Sequence, residues 1–149
     1  MRAIIQRVKE ASVSVDGKCV GRIEAGLLIY LGVSKNDTEK DIKYIAEKAV
    51  RLRIFPDSNG QMNLSALDLQ KELLLVSQFT LYGDCRKGRR PSFNQSASGE
   101  DAKKLYENAI QELKSYNLKV ETGQFQAHMS VQSENDGPVT MMIDSEKIF

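Results

Sequence analysis

Four residues with hydrogen-bonding or stacking side chains, Ser77-Gln78-Phe79-Thr80, directly follow the apolar run 73–76. Ligands of α/β proteins tend to bind beyond the carboxyl ends of strands, and a strand over 73–76 would place this segment there. Its carboxamide, hydroxyls and main-chain N–H groups could stabilise an oxyanion, and its ring could stack on a substrate. The same residues also fit a strand that simply ends in a turn at 82–84, so the segment alone leaves both interpretations open.

A protein nucleophile would need an activating base, and the sequence contains a single histidine, His128. The hydroxyl of Ser77 or Thr80 becomes a strong nucleophile when an imidazole accepts its proton. Nothing in the sequence places His128 beside either hydroxyl. The cations that follow Cys85 would favour its thiolate, but the same histidine is its only possible imidazole partner. We therefore favour a mechanism without a catalytic triad and treat Cys85 as a loop residue.

Metal and cofactor chemistry is not expected. One histidine excludes sites that need two imidazoles, and Cys19 and Cys85 lack the spacing of a zinc knuckle or a disulfide framework. The N-terminus has no continuous apolar signal segment, and no apolar run approaches the ~18 residues needed to cross a bilayer. We expect a cytoplasmic protein with no metal, no cofactor and no membrane contact.

One cluster of cations stands out in a chain whose net charge is only +1. Such a charge excludes binding of nucleic acid through bulk positive charge, so any RNA contact must be local. The cluster lies between Cys85 and Pro91 and consists of Arg86, Lys87, Arg89 and Arg90. A flexible loop of this kind could contact phosphates without reading sequence, although taken alone it favours an ordinary solvated loop.

The segment 135–140, with the sequence NDGPVT, is the second candidate for a role at a site. Asn, Asp and Gly favour turns, and proline is tolerated only at the start or edge of a strand, so a turn entering the last strand is one interpretation. However, an X–Pro bond can be cis at small cost, and glycine has no Cβ to keep a ligand away. A cis Gly137-Pro138 bond could therefore point bare carbonyls into a pocket.

The elements that position these segments follow from periodicity. Asp16-Gly17 divides an alternating stretch over 11–23 and predicts a hairpin, and the continuous apolar run 26–33 predicts a central strand covered on both faces. Apolar residues at helical spacing predict helices over 38–53 and 99–115. Further strands are expected at 73–76, 119–123, 129–134 and 139–143. With no repeat or linker, residues 1–149 predict a single layered α/β domain whose helices cover one side of a folded-over sheet.

The segments SQFTL (77–81) and NDGPVT (135–140) together resemble the two signature motifs of the D-aminoacyl-tRNA deacylases, also called D-tyrosyl-tRNA deacylases. The resemblance continues along the chain in Ile5-Gln6-Arg7-Val8, Ala11-Ser12-Val13, Arg53-Ile54-Phe55, Met62-Asn63-Leu64 and Arg90-Pro91-Ser92-Phe93. The order and spacing of these pieces make it specific. It departs at Gln126, where the family usually has a small residue, and at His128, where it often has an acid.

The resemblance implies a homodimer of three-layer α/β domains, with two β layers in a barrel-like mixed sheet and two main helices on one side. It implies that Gly137-Pro138, with a cis bond, enters the active site of the partner subunit and rejects L-amino acids. A wall of main-chain carbonyls is indifferent to the identity of the side chain, so one pocket could accept many D-amino acids. Glycine has no side chain to exclude, and glycyl-tRNA is therefore expected to be a second substrate.

The same resemblance assigns residues to roles. Gln78, Phe79 and Thr80 are the candidate catalytic segment, which would position the ester and stabilise its oxyanion while the terminal 2′-OH of tRNA assists hydrolysis. The substrate-binding positions are Ser77, Met129, Gly137 and Pro138, and the basic cluster is the candidate tRNA contact. Two alternatives stay open: a tRNA-binding module without catalysis, and a small-molecule esterase that uses Thr80 or Ser77.

Overall fold

The computed structural model describes residues 1–149, which form eight strands, two α-helices and one 3-10 turn. In chain order these are β1 (Arg2–Val15), β2 (Lys18–Ile23), β3 (Gly26–Gly32), α1 (Glu39–Arg51), β4 (Phe55–Pro56), β5 (Met62–Leu64), β6 (Glu72–Ser77), the 3-10 turn (Phe79–Tyr82), α2 (Gly99–Lys114), β7 (Val120–Thr122) and β8 (Ser130–Asp144). The predicted central strand and both helices are present, with ends that differ by one or two residues. The predicted hairpin over 11–23 is also present, but its first strand begins much earlier, at Arg2.

Both helices begin at side-chain caps. Thr38 precedes α1 and forms a capping box with Asp41, whose carboxylate accepts the Thr38 N–H at 2.8 Å. Ser98 precedes α2 and accepts the N–H of Asp101 at 3.4 Å. The helix α1 ends before the predicted residue 53 because Leu52 turns to an extended conformation, with ψ 124°. Neither helix is long and apolar enough to cross a membrane.

Strand β1 organises the sheet because three other strands pair with it. It pairs with β8 from Arg2 to Ser14, with β3 over its first half and with β2 over its second half, all antiparallel. The strands β3, β6 and β7 continue the sheet in parallel. The sheet then folds over on itself, which brings β2 against β7. The approach is close: a Cβ placed on Gly21 of β2 would lie 2.6 Å from the Thr122 carbonyl oxygen of β7.

Two apolar cores separate the three layers. Side chains of β3 and β6 alternate between them: Leu27, Ile29, Leu31, Leu73 and Leu75 pack under the helices, whereas Leu28, Leu74 and Val76 pack inside the curled sheet. This alternation explains why both strands are continuous apolar runs in the sequence. The hydroxyl of Tyr106 also ties α2 to the sheet by donating to the Leu75 carbonyl at 2.8 Å. The predicted layered fold, a nearly closed mixed sheet with both helices on one side, is confirmed.

The prediction of separate strands over 129–134 and 139–143 was wrong, because β8 runs through both without interruption. Gln6 pairs with Thr140 and Val8 with Asn135, so a single β1 residue, Arg7, stands opposite residues 136–139. These extra residues form a bulge, not a turn between strands. A bulge accommodates proline within a strand because the ladder is already interrupted there.

Candidate active site

A cavity of about 650 Å³ opens at the carboxyl ends of β3 and β6. Eleven of its seventeen lining residues are hydrophobic, so a few polar groups must orient whatever binds there. The predicted residues Ser77, Gln78, Phe79 and Met129 all line it, although Met129 comes from a distant part of the sequence. His128 is the only lining residue with an ionisable side chain.

Gln78 and Thr80 form a small polar unit at the start of the 3-10 turn. The main chain of Gln78 donates to the Leu31 carbonyl at 2.8 Å, which fixes the segment to the end of β3. Its side-chain amide donates to the Thr80 hydroxyl. Thr80 is exposed and lies outside the cavity lining, and His128 forms no hydrogen bond to it or to Ser77. The geometry therefore supplies hydrogen-bond donors but no activated nucleophile.

An aromatic pair forms part of the cavity wall. Phe79 is 58 % exposed, which is unusual for so large an apolar side chain, and packs edge to face with Phe93 with ring centroids 5.0 Å apart. Phe125 contributes a third lining ring. No role was predicted for Phe93 or Phe125. The signal that could have found Phe93 is its place in the segment Arg90-Pro91-Ser92-Phe93, three residues after the last cation of the basic cluster.

The basic cluster forms an exposed loop that leads into the cavity wall. Asp84 and Ser92 close the loop through two main-chain hydrogen bonds of 2.7 and 3.0 Å, and Phe93 follows at once. The Arg86 guanidinium binds both carboxylate oxygens of Asp84 and holds the pKa of that carboxyl well below its usual range. The cluster's other three cations form no ion pair within the chain: Lys87, Arg89 and Arg90.

Gly137-Pro138 lies apart from the cavity formed by its own chain. The peptide bond is cis, both residues are exposed, and neither lines the cavity. Gly137 has φ +129°, a conformation that residues with a Cβ rarely adopt. A Cβ at Gly137 would also lie 2.7 Å from Cγ2 of Val139 and 3.2 Å from Nη2 of Arg7. The bulge therefore requires glycine at this position.

Hydrogen bonds of the Arg7 and Asn135 side chains fix the conformation of the bulge. Arg7 is only 8 % exposed; its Nε donates to the Asp136 carbonyl at 3.2 Å, and its Nη1 donates to the Ile54 carbonyl. Asn135 accepts the N–H of Val139 at 3.1 Å, which closes the bulge. Sequence reasoning missed both roles, because the function of a charged strand residue depends on which residues the sheet register places opposite it.

The comparisons with known proteins agree with this architecture. The sequence model of the D-Tyr-tRNA(Tyr) deacylase family matches residues 4–144, which include the cavity segments and the bulge. The chain belongs to this family. A D-aminoacyl-tRNA deacylase of Thermosipho africanus (strain TCF52B) is 65% identical to this family member over 149 residues, with all of both chains covered.

Two solved structures are similar to this family member. One is described as the c-Myc DNA unwinding element binding protein, with a TM-score of 0.91 and 37% identity over 97% of this chain and 98% of that one. The other is described as a probable eukaryotic D-amino acid tRNA deacylase, with a TM-score of 0.84 over 95% and 97% of the two chains. At 18% identity, the second likeness concerns the fold alone.

Metal ligands do not cluster in this family member. No group of three or more His, Cys, Asp or Glu side chains converges on one point. Cys19 and Cys85 are both exposed and unpaired.

Replacing Arg7 by Met should lower the free energy of unfolding by about 1–3 kcal/mol, because it leaves the carbonyls of Ile54 and Asp136 without their donor and removes the ion pair with Asp136. Urea unfolding measures this change. The matched control is Arg22→Met, which removes an exposed ion pair with Glu10 and should cost less than about 0.5 kcal/mol. Equal losses for the two variants would contradict the anchoring role of Arg7.

Proposed function

We propose that this protein hydrolyses the ester bond of D-aminoacyl-tRNA and releases a free D-amino acid and tRNA. Membership of the deacylase family supports hydrolysis of aminoacyl-tRNA esters, and the Thermosipho relative carries that name over its full length. The observation that carries the finer proposal is the placement of the two signature segments. One lines a largely apolar cavity, and the other is displayed on an exposed bulge outside it.

The protein acts as a homodimer, in which Gly137-Pro138 of each subunit enters the cavity of the other. The dipeptide cannot serve its own cavity, because it does not line it. Arg7 and Asn135 nonetheless fix its conformation, as expected for a segment that binds in the cavity of a partner subunit. Met142, further along β8, leaves an apolar side chain 61% exposed for a partner to cover. A two-fold arrangement of this kind would complete two equivalent sites.

The site distinguishes D- from L-amino acids by steric exclusion of the L-form. Exchanging the configuration at Cα swaps the side chain with a hydrogen atom, so a rigid wall on one side of Cα rejects one enantiomer. Main-chain carbonyls of Gly137 and Pro138 would form that wall, and they present the same surface to every amino acid. Glycyl-tRNA has no side chain to be rejected and would also be hydrolysed. The D-amino acid therefore need not be recognised by its side chain.

Catalysis rests on positioning and hydrogen bonding. The cavity has no carboxylate, and its one imidazole, of His128, forms no hydrogen bond to Ser77 or Thr80. No side chain of the cavity is therefore placed to activate a protein nucleophile. The terminal 2′-OH of tRNA would assist hydrolysis, while donors at Gln78 and the adjacent main chain stabilise the oxyanion. The unpaired cations Lys87, Arg89 and Arg90 would hold the phosphates of the tRNA end. The setting of this reaction would be the cytoplasm, and no cofactor is needed.

The purified protein should hydrolyse D-Tyr-tRNA about 100-fold or more faster than L-Tyr-tRNA, as expected for a steric difference of ~3 kcal/mol. Release of amino acid from labelled tRNA measures both rates, with Gly-tRNA as a third substrate. Equal stability of D-Tyr-tRNA and L-Tyr-tRNA would show a binding module without catalysis. Hydrolysis of a model ester without RNA, lost in Ser77→Ala or Thr80→Ala, would show a small-molecule esterase.

Replacing Thr80 by Ala should leave the single-turnover rate on D-Tyr-tRNA within about tenfold of the unmodified protein, the effect of losing one hydrogen bond. The reason is that the Thr80 hydroxyl accepts a hydrogen bond from Gln78 and has no base to take its proton. Gln78→Ala is the companion variant and should slow the reaction more. A loss on the order of 10⁴-fold in Thr80→Ala, with tRNA binding unchanged, would instead make Thr80 a direct participant.

A further inference from the structure

The 3-10 turn is fastened to the sheet by one side chain from the start of β1. Arg2 donates from Nη1 to the Leu81 carbonyl at 3.1 Å and from Nε to the Asp144 carboxylate at 2.9 Å. Its guanidinium carbon also lies 4.6 Å from the centre of the Tyr82 ring. Arg2 thus joins three parts of the chain that are distant in sequence: the first strand, the 3-10 turn and the end of β8.

The anchor for this clamp is rigid. The Asp144 side chain is 1% exposed, and its other carboxylate oxygen accepts the N–H of Glu146 at 2.8 Å. Tyr82 is buried, but its hydroxyl has no hydrogen-bond partner, so its ring is held by packing and by the guanidinium stacked on it. Without Arg2, the Tyr82 end of the turn would lose its polar attachment to the rest of the molecule.

The other end of the turn is held by the main-chain bond from Gln78 to the Leu31 carbonyl, 2.8 Å. The bonds from Leu81 N to the Gln78 carbonyl, 3.3 Å, and from Gly83 N to the Thr80 carbonyl, 2.9 Å, are internal to the segment. Close packing on Gly32 of β3 supports it from below, since a Cβ there would lie 3.0 Å from the Gln78 carbonyl. Arg2 is the one residue whose side chain hydrogen-bonds to the main chain of the turn.

We propose that Arg2 is a positioning residue for the deacylation reaction: its fork fixes the Leu81–Tyr82 end of the 3-10 turn and, together with the bond from Gln78 to Leu31, holds Gln78 and Phe79 against the cavity. The inference rests on the proposed role of residues 78–80. A misplacement of about 1 Å can slow an enzymatic reaction roughly 100-fold, so the orientation of this short segment has direct kinetic consequences. Only arginine can make the contacts together, because its planar fork offers separate donors to Leu81 and Asp144.

The first test needs no substrate. Hydrogen–deuterium exchange of peptides covering 78–83 should be faster in Arg2→Met than in the unmodified protein, whereas Arg22→Met, which removes an exposed guanidinium from an ion pair with Glu10, should match the unmodified protein. Unchanged exchange over 78–83 in Arg2→Met would overturn the clamp. Because no reaction is involved, this result stands whether or not the proposed function is correct.

The second test concerns the reaction. With D-Tyr-tRNA, Arg2→Met should lower kcat about 10- to 100-fold with KM changed by less than about threefold, because positioning rather than binding is lost. Arg2→Lys keeps the charge but has one nitrogen for two acceptors, and should recover only part of the rate. Ile45→Val serves as the structural comparison, since it removes a methyl group from the core under the helices and leaves the contacts of Arg2 intact.

The outcomes separate the possibilities. If exchange over 78–83 rises but kcat is unchanged, Arg2 supports the fold and not the reaction, and the proposal fails. If Ile45→Val, at an equal loss of thermal midpoint, slows the reaction as much as Arg2→Met, general destabilisation explains the effect and the proposal also fails. If the unmodified protein leaves D-Tyr-tRNA intact, the proposed function fails first, and with it the kinetic role of Arg2.

Discussion

The antiparallel pairing of β1 with β8 is the constraint on which the candidate site depends. At one end of this ladder, Arg2 faces Asp144 and reaches the 3-10 turn. In the middle, Arg7 stands opposite the bulge. At the other end, β8 begins at Ser130, directly after the cavity residue Met129. One register therefore determines where the turn, the bulge and part of the cavity wall lie relative to one another.

The proposed tasks of binding the substrate and of rejecting L-amino acids belong to two separate regions, because the bulge does not line the cavity of its own chain. The cavity supplies apolar surface and hydrogen-bond donors, and the bulge supplies main-chain carbonyls on a rigid support. A wall of this kind must be stiff, because an enantiomer is rejected only when the clash cannot relax. The buried guanidinium of Arg7 and the closing bond of Asn135 provide that stiffness, and a glycine conformation closed to other residues provides the shape.

The pattern of apolar residues in the sequence predicted the strands that are buried on both faces and the helices that are buried along one face. The runs 26–33 and 73–76 are apolar on both faces because a core lies on each side, and the stripe of α2 follows its buried face. The continuity of β8 was not predictable in this way, since it depends on a partner strand at the opposite end of the sequence. The same holds for Arg2 and Arg7, whose contacts follow from register. The proposed role of Gly137-Pro138 came from resemblance, because its local pattern is that of an ordinary turn.

The most direct test of the central claim, a site completed by the partner subunit, is complementation between two inactive variants. Gln78→Ala impairs the cavity and Gly137→Ala impairs the bulge, so each alone should hydrolyse D-Tyr-tRNA poorly. When equal amounts are refolded together, half of the dimers are mixed, and each mixed dimer has one site with an intact cavity and an intact bulge. We predict about a quarter of the unmodified rate for the mixture. A mixture as inactive as its components would contradict the account, because it would place both elements of the site in the same chain.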